Sequence, residues 1–153
     1  MTIETRLAEL GLTLPEAAAP VASYVPAVEA GGMLFISGQL PFNEGALMTG
    51  RLGEDRDLAF GEEAARRCAL MLIAQIKRAL GDLERVERIV KLGAFVSSTA
   101  DFTDQPKVAN GASNLMEAVF GEVGKHARSA VGVPVLPLNA AVEIDAIVAV
   151  RDK

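Results

Sequence analysis

The sequence predicts an α+β domain in which a mostly antiparallel sheet carries two helices packed on one face. Three observations predict it. Two long segments, 61–82 and 104–122, repeat apolar residues at helical spacing. Val- and Ile-rich runs at 23–41, 86–99, 128–133 and 140–150 read as strands. Their order along the chain is strand, strand, helix, strand, helix, strand, strand, with no internal repeat.

The 153 residues fit one domain, divided into an N-terminal helix and linker (1–20) and a core (21–151). In "TIETRLAELGLTLP", Ile3, Leu7 and Leu10 share one helical face, and Gly11 and Pro15 stop the run. "EAAAP" follows as a linker. "SYVPAVEAGGMLFISGQLP" reads as a hairpin turning at Ala30-Gly31-Gly32, with Pro26 placing its first strand at a sheet edge. Residues 42–60 read as loop, with a short strand near Ala46–Thr49.

The helix at 61–82 has one apolar stripe of Ala65, Cys68, Leu72, Ile76 and Ala79 or Leu80, closed by Gly81. The next strand alternates too poorly for its faces to be assigned. In the second helix, Val108, Ala112, Leu115 and Val119 point inward, and Gly121 follows the end. The last strand puts Val142, Ile144, Ala146 and Val148 on one face, and Glu143, Asp145 and Ile147 on the other. That second face is not fully polar and asks for a cover, for which another copy of the chain is the natural candidate.

A net charge of −5 opposes a broad nucleic-acid or anionic-membrane surface. No run reaches the roughly 20 apolar residues of a membrane span. The charged, periodic start does not resemble a secretory signal, so a soluble, cytoplasmic protein is expected. Cys68 alone makes no disulfide, and His126, the one histidine, makes a poor metal ligand set with it. No phosphate-binding glycine loop or serine-nucleophile motif occurs.

Two charged residues stand apart. Arg128 lies where a loop enters an apolar strand, and its planar fork can grip a carboxylate. Its structural alternative is a bridge to an acid such as Glu143. Glu143 interrupts the last strand, and under a covering subunit its pKa would rise towards acid–base usefulness. Asn110, Ser113 and Asn114 share a helical face that either lines a pocket or is simply wet. Tyr24, the one tyrosine, and Ser37 read individually as packing and strand-end residues.

The motifs "FISGQLP", "RSAVGVPVLP" and "VEIDAI", in that order and spacing, resemble the YjgF/Rid family, also called endoribonuclease L-PSP, over about Tyr24 to Val150. The resemblance implies a chorismate-mutase-like fold assembled as a homotrimer around a central β-barrel, with clefts between subunits. It implies hydrolysis of reactive enamines and imines, such as 2-aminoacrylate and 2-iminobutyrate, to 2-oxo acids and ammonia without a cofactor or metal.

By the same resemblance Arg128 takes the substrate carboxylate and Glu143 holds or activates water. Tyr24, Ser37, Gly38, Asn110 and Ser113 line the cleft, with Tyr24 contributed by the same or the neighbouring subunit. Ala130 replaces the cysteine frequent in the family and leaves only its backbone carbonyl to take part. The N-terminal helix and "FGEVGKHARSAVGV" mark a distinct branch, in which Lys125 and His126 either add substrate specificity or, the favoured reading, cap the preceding helix. The rival readings are a non-catalytic trimeric binder of small carboxylates and, less favoured, a ribonuclease. A protein-partner role stays open, and chorismate mutase activity would rest on fold analogy alone.

Overall fold

The computed structural model describes residues 1–19 and 23–152. The junction expected between linker and core, at residues 20–21, lies outside them. A short helix, α1 (Ile3–Glu9), is capped by Thr2, whose side chain accepts from Thr5 N. Leu7 is buried beneath it, whereas Leu10 is the C-cap residue and exposed, contrary to the expected apolar face.

The main sheet holds β1 (Ala27–Ala30), β2 (Met33–Gln39), β5 (Val86–Ser97), β6 (Ala127–Val133) and β7 (Val142–Val150), in the order β1-β2-β7-β5-β6. Three of its pairings are antiparallel and β5–β6 is parallel, so the sheet is mixed. The parallel pair follows from connectivity, since α3 (Gln105–Phe120) crosses over between β5 and β6. Gly31 and Gly32 turn the first hairpin with φ of 60° and 77°, a geometry that only glycine adopts cheaply twice in succession.

The loop expected at 42–60 contains a small hairpin, β3 (Phe42–Asn43) and β4 (Ala46–Leu47), and ends early. Helix α2 (Leu58–Leu80) starts there, because the Asp57 side chain caps it by accepting from Phe60 N. Gly81 closes α2 in the left-handed conformation.

The single stripe expected on α2 is too narrow. Ala64, Ala65 and every residue from Cys68 to Ile76 are buried, and Leu80, not exposed Ala79, ends the series. The stretch 68–76, buried all round, needs cover on every side. The sheet covers one side and α3 another, while the segment after α1 is tied on by a bond from Gln75 Nε2 to the Ala18 carbonyl (2.8 Å). The irregular pattern of β5 also has a cause. Register shifts between Val86 and Arg88, and between Ile89 and Lys91, break the alternation and still leave Ile89, Leu92, Ala94 and Val96 on the helix side.

Both α2 and α3 pack on one face, against Val142, Ile144, Ala146 and Val148 of β7 among others. No described helix is long and apolar enough to cross a membrane. The opposite face is bare among the described residues, and Val28 (50% exposed), Phe35 (45%) and Val131 (46%) lie on it.

Candidate functional site

The predicted site residues gather in two clusters, and sheet register decides which residue joins which. Residues paired across neighbouring strands point to the same face. Arg128 pairs with Leu92, which is buried under the helices, so its side chain leaves the sheet on the helix side at edge strand β6. Glu143 pairs with Phe95 and lies on the bare face of central strand β7. The sheet itself therefore separates the two charges within one chain. The Arg128–Glu143 bridge does not form, and a pocket holding both in a single chain is ruled out.

In the first cluster, Arg128 Nη1 donates to Asn110 Oδ1 (2.8 Å) and Ser113 Oγ (3.1 Å), and Nη2 donates to the Pro106 carbonyl (3.3 Å). All three acceptors are neutral and sit on α3 between its first turn and its middle. No carboxylate pairs with Arg128 among the described residues. A guanidinium has five N–H donors, so Nε and one hydrogen on Nη2 are left over. The result is a half-buried, uncompensated cation whose orientation is already set.

Asn110 and Ser113 thus serve Arg128. Asn114, on the same predicted face, turns instead to the groove between α3 and α2 beside Glu62 and Glu63. Ala130 points to the helix side opposite Ala94 and packs against the core, so only its backbone faces β5 and the edge.

The second cluster is Ser37, Gly38 and Glu143. The β2–β7 register slips between Ile36 and Gln39, and the extra residue carries Ser37 and Gly38 over the bare face. A Cβ on Gly38 would lie 2.8 Å from the Glu143 carboxylate, so the close approach requires glycine. Ser37 Oγ donates to the Val25 carbonyl (3.0 Å) and thereby ties the exposed Tyr24–Val25 segment beside the cluster. Behind the slip, buried Gln39 donates to the Ser37 carbonyl and accepts from Gln75, a polar support that residue patterning did not reveal. Burial, and secondarily the charge of Asp145, raise the Glu143 carboxyl above its ordinary pKa; Asp145 is raised in turn, chiefly by burial.

As the expected cap, His126 bonds the Gly124 carbonyl at the end of a 3-10 turn (Gly121–Gly124), but its other nitrogen contacts Ser113. Lys125 is solvated and paired with Glu122 at 3.0 Å. Cys68 is buried, and burial raises its thiol pKa well above normal, which suits an inert core thiol. No group of three or more metal-ligating side chains converges among the described residues.

Comparison with known proteins gives a consistent picture. The family model described as "YjgF/chorismate_mutase-like, putative endoribonuclease" matches residues 4–149. Protein TCP17 of Trypanosoma cruzi is 54% identical, over 95% of this chain and 92% of its own. The crystal structure of protein Atu1372 from Agrobacterium tumefaciens is 51% identical with a TM-score of 0.90, covering 97% of this chain and 92% of that one. A 2-iminobutanoate/2-iminopropanoate deaminase of Dermatophagoides farinae is 28% identical, over 92% of this chain and 95% of its own.

Proposed function

Because the chain belongs to the YjgF/chorismate-mutase-like family, we propose that it hydrolyses short 2-imino acids and their enamine tautomers to 2-oxo acids and ammonia, at clefts between the subunits of a homotrimer. The observation that carries this reading is the oriented guanidinium of Arg128, which lacks a carboxylate of its own. A substrate carboxylate fits its two remaining donors.

The separation of the two clusters supports the assembly. An interface joining the β6 edge of one subunit to the bare face of the next brings Arg128, Asn110 and Ser113 of one copy against Tyr24, Ser37, Gly38 and Glu143 of another. The same contact covers Phe35 and Val131, and three such heterologous contacts close a ring around the sheets as a central barrel.

The chemistry is balanced by the parts. The imine carbon is already electrophilic, so no cofactor is needed. Glu143 takes a proton from water as the oxygen bonds to that carbon. The imine enters protonated, so its C=N pair moves to nitrogen and leaves a neutral carbinolamine. Glu143 then returns its proton to that nitrogen, the C–N pair departs with ammonia, and the hydroxyl proton passes to the freed Glu143 carboxylate as the C=O forms. A carboxyl raised by burial holds and releases a proton more readily in both transfers than an ordinary carboxylate would.

Ribonuclease chemistry fits less well. Both nitrogens of the one histidine are engaged, and the net charge of −5 discourages a polyanion.

The test is hydrolysis of 2-iminobutyrate generated in situ by threonine dehydratase, with semicarbazide trapping surviving imine. Faster 2-oxobutyrate release than in protein-free controls is expected; no acceleration by a confirmed trimer would overturn the reading. Gly38→Ala supplies a sharper control. Its new methyl displaces the Glu143 carboxylate, and misplacement on the order of 1 Å can cost roughly a hundredfold in rate. We expect a large loss of turnover in a protein whose thermal unfolding is nearly unchanged.

A further inference from the structure

The histidine nitrogens define a direction. His126 Nδ1 lies 2.7 Å from the Gly124 carbonyl oxygen, an atom that can only accept, so Nδ1 carries the proton. In the neutral ring Nε2 is then the acceptor. It lies 2.8 Å from Ser113 Oγ, so the hydroxyl donates its hydrogen there. With that hydrogen spent, Ser113 can present only lone pairs to Arg128 Nη1. The chain of bonds runs Arg128 to Ser113 to His126 to Gly124, each donor facing an acceptor. Without His126, the Ser113 hydroxyl would turn back on the carbonyl four residues earlier in α3, as serines inside helices do.

We propose that His126 is a positioning residue. Acting through Ser113, it holds the Arg128 fork in the orientation that receives a 2-oxo or 2-imino carboxylate. The inference rests on the carboxylate reading of Arg128 and assigns His126 a role beyond capping its turn. His126 touches no substrate in this scheme; it fixes a partner of the residue that does.

Because the chain has one histidine, its ring nitrogens give unique 15N NMR signals. The neutral ring in the unaltered protein should show the Nδ1–H tautomer, the minority form of free imidazole side chains. Adding 2-oxobutyrate should shift the Nε2 signal, and Ser113→Ala should remove that shift. His126→Leu should raise KM for 2-iminobutyrate roughly three- to tenfold, the worth of one hydrogen bond, with kcat nearly unchanged. His126→Gln, whose amide oxygen can accept from Ser113, should recover most of the loss.

The Nε2–H tautomer in the unaltered protein would overturn the proposal without any variant needing to fold. So would a His126→Leu protein that binds 2-oxobutyrate normally while Arg128→Ala does not. Normal binding by Arg128→Ala would remove the carboxylate reading itself, and this inference with it.

Discussion

Arg128→Ala should lose binding of 2-oxobutyrate and other short 2-oxo carboxylates while remaining folded and in the oligomeric state of the unaltered protein. Removing one partner of a hydrogen-bonded charge pair costs about 2 kcal/mol or more, roughly thirtyfold in affinity. The fold should tolerate the change. Arg128 makes no ion pair among the described residues, and its three acceptors are neutral groups at an exposed edge that water can satisfy. Arg128→Lys keeps the charge and loses the fork, so binding should recover only in part. Calorimetric titration with 2-oxobutyrate reads both variants, and wild-type affinity in the alanine protein would end the clamp assignment.

Glu143→Gln should keep carboxylate binding and lose turnover by about 10²–10⁴-fold, the usual worth of a positioned acid–base group. Stability should move the other way. Burial raises the folded-state pKa of Glu143 above its ordinary value of 4.5, so the native state holds that proton more tightly than the unfolded chain does. Its stabilising share is complete below the ordinary value and declines as pH climbs through the raised one. Glu143→Gln removes this decline. Urea unfolding at several pH values should show a shallower pH dependence and a neutral-pH stability no lower than wild type. Full activity in the variant would take Glu143 out of the mechanism. If Glu143 activates the water, activity of the unaltered protein should in turn fall as pH drops through the raised Glu143 pKa, because that role needs the carboxylate.

The two variants together test where the site lies. If each cleft takes Arg128 from one copy and Glu143 from the next, trimers assembled from equal amounts of both inactive proteins restore about one site in four. The intact sites are those where an Arg128→Ala chain supplies Glu143 and a Glu143→Gln chain supplies Arg128. Co-refolded mixtures showing about a quarter of wild-type activity would be the expected result. Inactive mixtures would place both groups in one chain's site, contrary to the register of β5, β6 and β7.

Much of this was legible in the residues themselves. Helical and alternating periodicity report local burial, and local burial is what α2, α3 and β7 express. Glycines with forced backbone angles, such as Gly31, Gly32 and Gly81, mark turns and caps regardless of context. Asp57 moved the start of α2 because a side-chain cap overrides a glycine-rich neighbourhood, and the bulges of β5 hid its faces because they break the two-residue period.

By itself the sequence determined the order of the elements, the apolar face of β7 and the chemical types at the site, since each depends on residues close in the chain. Only the tertiary structure decided that Arg128 and Glu143 stand on opposite faces of one sheet, that three neutral acceptors on α3 hold the guanidinium, and that His126 reaches Ser113. Those facts depend on strand register and on a helix crossing over a sheet, long-range relations that no spacing along the chain encodes.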